Sequence, residues 1–190
     1  MNADASANGL TRSCVRARTR AVLSFGGSGN PDVLLVEADG GLVVVKDFYP
    51  RGRFVRRWLG PWLLRREVRA YGRLAGVAAV PHLLGWLDEA AIVLEYRPGV
   101  LLSRSLSGRL SPGFIDRLEA AIVEMHRRGV VHLDLRHRSN VLAGRDGDPI
   151  VLDFASAIGF ESSTRLGRLG VRILGCFDRR ALAKWRKRLG

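Results

Sequence analysis

Acidic residues are scarce in this chain: 18 Asp plus Glu stand against 31 Lys plus Arg, a formal charge of +13. Such an excess concentrates anionic partners, whether nucleotide, nucleic acid or acidic membrane, without choosing among them. A solvated basic surface accounts for it equally well. Cysteine is scarcer still. Cys14 and Cys176 are too few and too far apart for a disulfide framework or a metal cluster, which favours a reducing compartment. No run of 18 apolar residues occurs, and the first twenty residues carry no apolar segment of the kind a secretory signal needs. These absences predict a cytoplasmic protein, with contact at the inner face of a membrane left open. What is abundant is apolar side chain, 47% of 190 residues, enough for one domain or one small two-lobed domain with a substantial core.

Residues 1–17 are polar and irregular and are expected to be disordered. TRAVLSF, DVLLVEA and LVVVKDF then read as three antiparallel strands, with Asp39-Gly40-Gly41 supplying a tight hairpin. WLLRREVRAYGRLAG has helical spacing, with Leu64, Val68, Tyr71 and Leu74 on or near one face. HLLGWLD and AAIVLEY form a second predicted hairpin, ended by Pro98-Gly99. Ser111-Pro112 suits the start of a helix in which Ile115, Leu118, Ile122 and Met125 share a face up to Gly129. VVH, VL and PIVLDF are short strands, and the residues from Ala155 onward are basic and helical in character.

Several polar residues interrupt this apolar pattern. Lys46 falls in VVVK on the same side as Val44 and Leu42, where an ammonium is costly unless a carboxylate or phosphate compensates it; Glu67 is the candidate, and a lysine bending to solvent is the alternative. In HLDLRHRSNVL, Asp134 and Asn140 lie between two apolar runs, and Asp153 ends IVLDF. Two carboxylates and an amide oxygen provide ligands for Mg2+ and one base for a hydroxyl. Each also has a plainer reading, as a turn residue, a cap and a strand terminator.

The ordered set Lys46, Glu67, His132-x-Asp134, Asn140 and Asp153-Phe154 resembles the protein kinase-like superfamily from about residue 20 to residue 160. The resemblance implies an α+β, two-lobed fold with a five-stranded antiparallel N-lobe over 18–97 and a truncated, mostly helical C-lobe over 98–190. It implies an ATP- and Mg2+-dependent phosphotransferase in which Lys46, paired to Glu67, contacts the nucleotide phosphates. Asp134 would orient the acceptor hydroxyl, Asn140 and Asp153 would hold the metal, and His132 would support the loop. Glu95, Tyr96 and Arg97 would meet the adenine through their backbone. Gly26, Gly27 and Gly29 stand where the family has its glycine-rich loop, although a simple hairpin turn explains FGGSG equally.

The sequence departs from the family pattern at three points. Five residues separate Asp134 from Asn140 where the family usually has four, so either the loop bulges or Ser139 takes the asparagine's place. Ala155 replaces the glycine after Asp153-Phe154, and no peptide-substrate platform follows. The cut-down second lobe is most similar to small bacterial kinases of the lipopolysaccharide-core and RIO-like branches, so the expected acceptor is a hydroxyl of a protein or of an envelope glycolipid. A non-catalytic nucleotide-binding module and a nucleic-acid-associated protein are the rivals. RGRFVRRWLGPWLLRR and the C-terminal basic stretch suit an anionic membrane surface, or helices packed on the core with their arginines in solvent.

Overall fold

A computed structural model of the chain describes residues 9–189. It is a mixed α+β structure that divides into two compact units, one comprising the described part of Met1–Val68 with His82–Tyr96, the other Arg69–Pro81 with the described part of Arg97–Gly190.

The first unit is built on an antiparallel sheet of β1 (Thr19–Ser24), β2 (Asp32–Ala38), β3 (Gly41–Asp47), β4 (Leu83–Asp88) and β5 (Ala91–Glu95), ordered β1-β2-β3-β5-β4. The β-branched run of β3 suits its central place, where Val45 pairs with Leu34 on one side and Val93 on the other. The β2–β3 hairpin closes at Asp39 and Gly40, and Gly41 follows at φ 118, a conformation that disfavours any side chain. One face of the sheet buries Val36, Val43, Val45 and Val93 against Leu10 and Val15. Alternation therefore sends Lys46 to the opposite face.

That apolar layer corrects the expectation of a disordered start. Residues 1–8 lie outside the described residues, but Arg12–Arg18 forms helix α1, with Leu10 and Val15 buried. Arg12 clamps it to the sheet through Asp47 and Asp88, both at 2.6 Å. Two apolar anchors and one forked guanidinium offset the ordering entropy of a short segment. After β3, Phe48 is buried beneath Gly60, where an added Cβ would stand 2.7 Å from the Phe48 ring. A π-helical turn, Val55–Leu59, leads into α2 (Gly60–Arg73).

In the second unit, β6 (Gly99–Leu101), β8 (Val141–Gly144) and β9 (Pro149–Val151) form a three-stranded antiparallel sheet ordered β6-β8-β9. β7 (Val130–Val131) pairs with β10 (Ile158–Gly159). Helix α3 (Phe114–Arg127) buries Phe114, Leu118, Ile122 and Met125. It begins two residues beyond the expected Ser111-Pro112 start, because Gly113 in a left-handed conformation takes the N-cap position and the Ser111 hydroxyl donates instead to the Gly147 carbonyl, at 2.6 Å. The basic C-terminus, helical in character by sequence, is one helix, α4 (Arg165–Leu189). Its buried face carries Asp178, Leu182, Trp185 and Leu189, and Gly175 admits α3 so closely that a Cβ there would lie 2.8 Å from His126.

The division of the chain also differs from the expected boundary at residue 97. Arg69–Pro81 belongs to the second unit, since the Val151 amide donates to the Ala79 carbonyl at 2.7 Å and the Arg128 guanidinium to the Ala75 carbonyl at 2.6 Å. Pro98 ends the extended run after β5 as predicted, whereas Gly99 opens β6.

Candidate active-site residues

Lys46 and Glu67 find each other within the first unit. β3 turns Lys46 away from the valine layer, and α2 presents Glu67 so that Nζ lies 2.5 Å from Oε1, with both side chains buried. The apolar surroundings make each charge costly alone and the pair tolerable together. The FGGSG segment joins β1 to β2. The Gly26 amide donates to the Asp32 carboxylate at 2.8 Å, and a Cβ at Gly26 would collide with the Asn30 and Pro31 carbonyls, whereas Gly27 and Gly29 face open space. Gly26 is thus required by the turn itself. Glu95 is committed too: its amide donates to the His82 carbonyl and its carboxylate accepts from the His82 amide, each at 2.9 Å. Tyr96 is half-buried at the end of this unit, and Arg97, in the second, bonds the Ala78 carbonyl.

The remaining sequence-predicted residues belong to the second unit, and the segment 132–140 is held at several points. His132 is buried; its Nε2 bonds the Leu152 carbonyl at 2.9 Å and its Nδ1 receives the Asp134 amide at 3.3 Å. This pattern defines the neutral tautomer protonated on Nε2. Burial pushes the His132 pKa below the ordinary imidazole value, against the pull of the Leu152 carbonyl and nearby carboxylates. His132 is therefore a support for the loop.

Asn140 and Asp134 meet directly. The Asn140 amide nitrogen donates to the Asp134 carbonyl at 2.9 Å and to its carboxylate at 3.0 Å. Asn140 is buried, whereas Ser139 is exposed and directs its hydroxyl to the Asn140 Oδ1 at 3.0 Å. The alternative raised by the longer loop is resolved: Asn140, not Ser139, occupies the inner position, and Arg136, His137 and Arg138 accommodate the extra length on the surface. A short helical turn over Arg138–Asn140 tightens the return into β8, and the Leu152 amide caps it on the Asn140 carbonyl at 2.9 Å.

Asp153 lies two residues past the end of β9, beyond the strand end expected for it, with φ 63. Left-handed backbone at a carboxylate residue is uncommon and aims the side chain differently from a strand residue. Ala155 is thereby spared: the positive φ falls on Asp153, and Ala155 lies in the short turn Phe154–Ser156. Phe154 is buried between Tyr71 and His132, with ring centroids 5.1 and 4.9 Å away.

One residue central to this arrangement escaped the sequence reading. Asp178 of α4 is fully buried and accepts the His132 and Leu133 amides at 2.9 Å each, together with His126 Nε2 at 2.9 Å. Leu133 sits at φ 71, so Asp178 holds a strained turn immediately before Asp134. Trp185, two turns further along α4, donates its indole N–H to the Leu135 carbonyl at 2.9 Å. The signal was present: Asp178 is the sole acidic residue of Arg165–Leu189, and it falls in register with Leu182, Trp185 and Leu189 on the apolar face.

Chemically, Asn140 and Asp153 each offer side-chain oxygen, that of Asp153 a carboxylate. That suits a hard divalent cation such as Mg2+, which retains several waters. No protein-family model matches the chain. A probable SapB synthase from Streptomyces coelicolor (strain ATCC BAA-471 / A3(2) / M145) is 33% identical to it over 115 aligned residues, covering 50% of this chain and 12% of that protein. The match thus spans about an eighth of the relative's length. Among the described residues, no helix is long and apolar enough to cross a membrane.

Proposed function

We propose that this chain is an ATP- and Mg2+-dependent phosphotransferase with a minimal protein kinase-like fold, acting on a hydroxyl. The observation that carries this reading is the ordered Asp134–Asn140 pair, held by two hydrogen bonds from the Asn140 amide despite the longer loop. In this reading the Asp134 carboxylate accepts or orients the acceptor hydroxyl proton. Lys46, paired with Glu67, meets the nucleotide phosphates as a positive charge. Asn140 and Asp153 would hold Mg2+, which neutralises charge on the phosphates. Positioning and electrostatics supply most of what phosphoryl transfer asks of a protein.

The word synthase in the relative's name agrees with an enzyme and says nothing of phosphate transfer. Within the phosphotransferase reading, the acceptor is a protein hydroxyl or a sugar of an envelope glycolipid. A second reading, a nucleotide-binding module without turnover, draws on the longer Asp134 to Asn140 loop and on Ala155 in place of the glycine after Phe154.

Transfer of label from γ-labelled ATP, with total protein and envelope glycolipid offered side by side, separates the two. The expected outcome is transfer that requires Mg2+ and falls at least about 100-fold in Asp134→Ala. Equal rates for that variant and the parent would defeat the enzymatic reading. Mg2+-dependent stabilisation by ATP without transfer would favour the second.

A further inference from the structure

The segment between Phe48 and Arg66 contains no acidic residue and exposes its largest side chains. Phe54, Trp58 and Trp62 follow one another at four-residue spacing and are 72%, 67% and 51% exposed. Arg53, Arg57 and Arg65 are exposed along the same stretch. The stretch is nonetheless well anchored from behind, where Gly60 and Pro61 are buried and Phe48 packs under Gly60. Three aromatic rings thus stand in water along a firmly seated helix, an exposure that large apolar side chains rarely keep as a group.

The chemistry of the face selects among partners. Trp and Phe, amphipathic or flat, favour the boundary between headgroups and acyl chains, and arginine reaches back from there to phosphate. The Arg66 guanidinium already stacks over the Trp62 ring at 4.9 Å, and Arg56 over Tyr49 at 4.9 Å. Arg57 lies against the Glu89 carboxylate at 2.5 Å, and that pair is exposed and weak. Nothing along the segment repels an anionic surface, and the whole chain carries +13.

We propose that the Phe54–Trp58–Trp62 face, with its flanking arginines, is a docking surface for an anionic lipid bilayer. The rings enter the headgroup boundary while Arg53, Arg57 and Arg65 meet lipid phosphates. Charge brings the chain to the surface, and the aromatic side chains retain it there. This holds whether or not the chain transfers phosphate.

Sedimentation with vesicles of phosphatidylcholine and phosphatidylglycerol in equal parts, at about 0.1 M salt, provides the test. The parent chain is expected to bind these vesicles, to bind phosphatidylcholine alone far more weakly, and to shift its tryptophan emission to the blue on binding. The variant Phe54→Ala/Trp58→Ala/Trp62→Ala keeps every charge, and its substitutions are at exposed sites, so it should fold with an unchanged melting temperature. Its partitioning is expected to fall at least about 30-fold, roughly half a power of ten per ring. Leu166→Ala/Ile173→Ala, which trims exposed aliphatic residues of α4, should bind as the parent does. Undiminished binding by the triple variant would show that net charge or α4 is responsible and would overturn the proposal. So would failure of the parent to bind anionic vesicles, including the case in which poly(U) RNA captures it instead.

Discussion

The Lys46–Glu67 pair and the 132–140 loop hold polar groups in apolar surroundings by opposite means. Lys46 and Glu67 are partners to one another: one strand and one helix deliver two side chains whose Nζ and Oε1 meet at 2.5 Å. The loop cannot hold itself in that way. Its backbone amides at His132 and Leu133 need an acceptor, and the acceptor is Asp178, brought from α4 some 45 residues later in the chain. A pair of side chains can be replaced together, whereas a backbone amide cannot be removed. The first arrangement is therefore tolerant of paired change and the second is not.

The largest expected effect tests that tolerance. Glu67→Leu leaves Lys46 buried without its carboxylate and is expected to cost about 3–5 kcal/mol in denaturant unfolding. Adding Lys46→Met should restore most of that loss, while any phosphotransfer stays absent. If the double variant is no more stable than the single one, the Lys46 and Glu67 charges do not chiefly compensate each other. Asp178→Ala comes next, at about 3 kcal/mol, since it strands two amides and the His126 nitrogen. A loss under about 1 kcal/mol would mean that the loop finds its support elsewhere.

The loop also predicts a dependence on pH. His132 is neutral in the folded state because burial lowers its pKa, while in the unfolded chain it protonates near the ordinary value of about 6.5. The unfolded chain then binds more protons as pH falls, so the His132 contribution is complete above about 6.5. It is lost below that value by at most about 1.4 kcal/mol per pH unit, until the lower folded pKa is reached. Stability measured against pH for the parent and for His132→Gln should differ in slope over that window; parallel curves would refute a neutral buried imidazole. The smallest effect at neutral pH is Trp185→Phe, which removes the indole donor to the Leu135 carbonyl and leaves a smaller ring in its buried site, at about 2 kcal/mol.

How far the sequence could be read follows from the range of each interaction. Alternation in VVVK and helical spacing through Glu67 place a lysine on one strand face and a glutamate on one helix face, because each pattern is local; their contact at 2.5 Å joins two elements. The five-stranded sheet was legible for the same reason, from valine-rich runs punctuated by Asp39-Gly40 and Pro98. The choice between Ser139 and Asn140 was not, since both are small and polar and their order in the loop depends on where the surplus residue is pushed out. Helix α1 was missed because its polar composition hides Leu10 and Val15, whose value appears only against the valine face that receives them. Asp178 sits in a basic helix, some 45 residues from the loop amides it accepts, so no local pattern ties it to them.

By itself, then, the sequence determined the alternation of strands, the helical faces and the residue types available for chemistry, since these depend on neighbours within a few positions. The tertiary structure alone decided which amide met which acceptor: Asp178 beneath His132 and Leu133, Asn140 against Asp134, Arg12 across Asp47 and Asp88. Those choices join residues far apart in the chain. They are enforced by the cost of leaving a buried polar group unmatched, which no local pattern records.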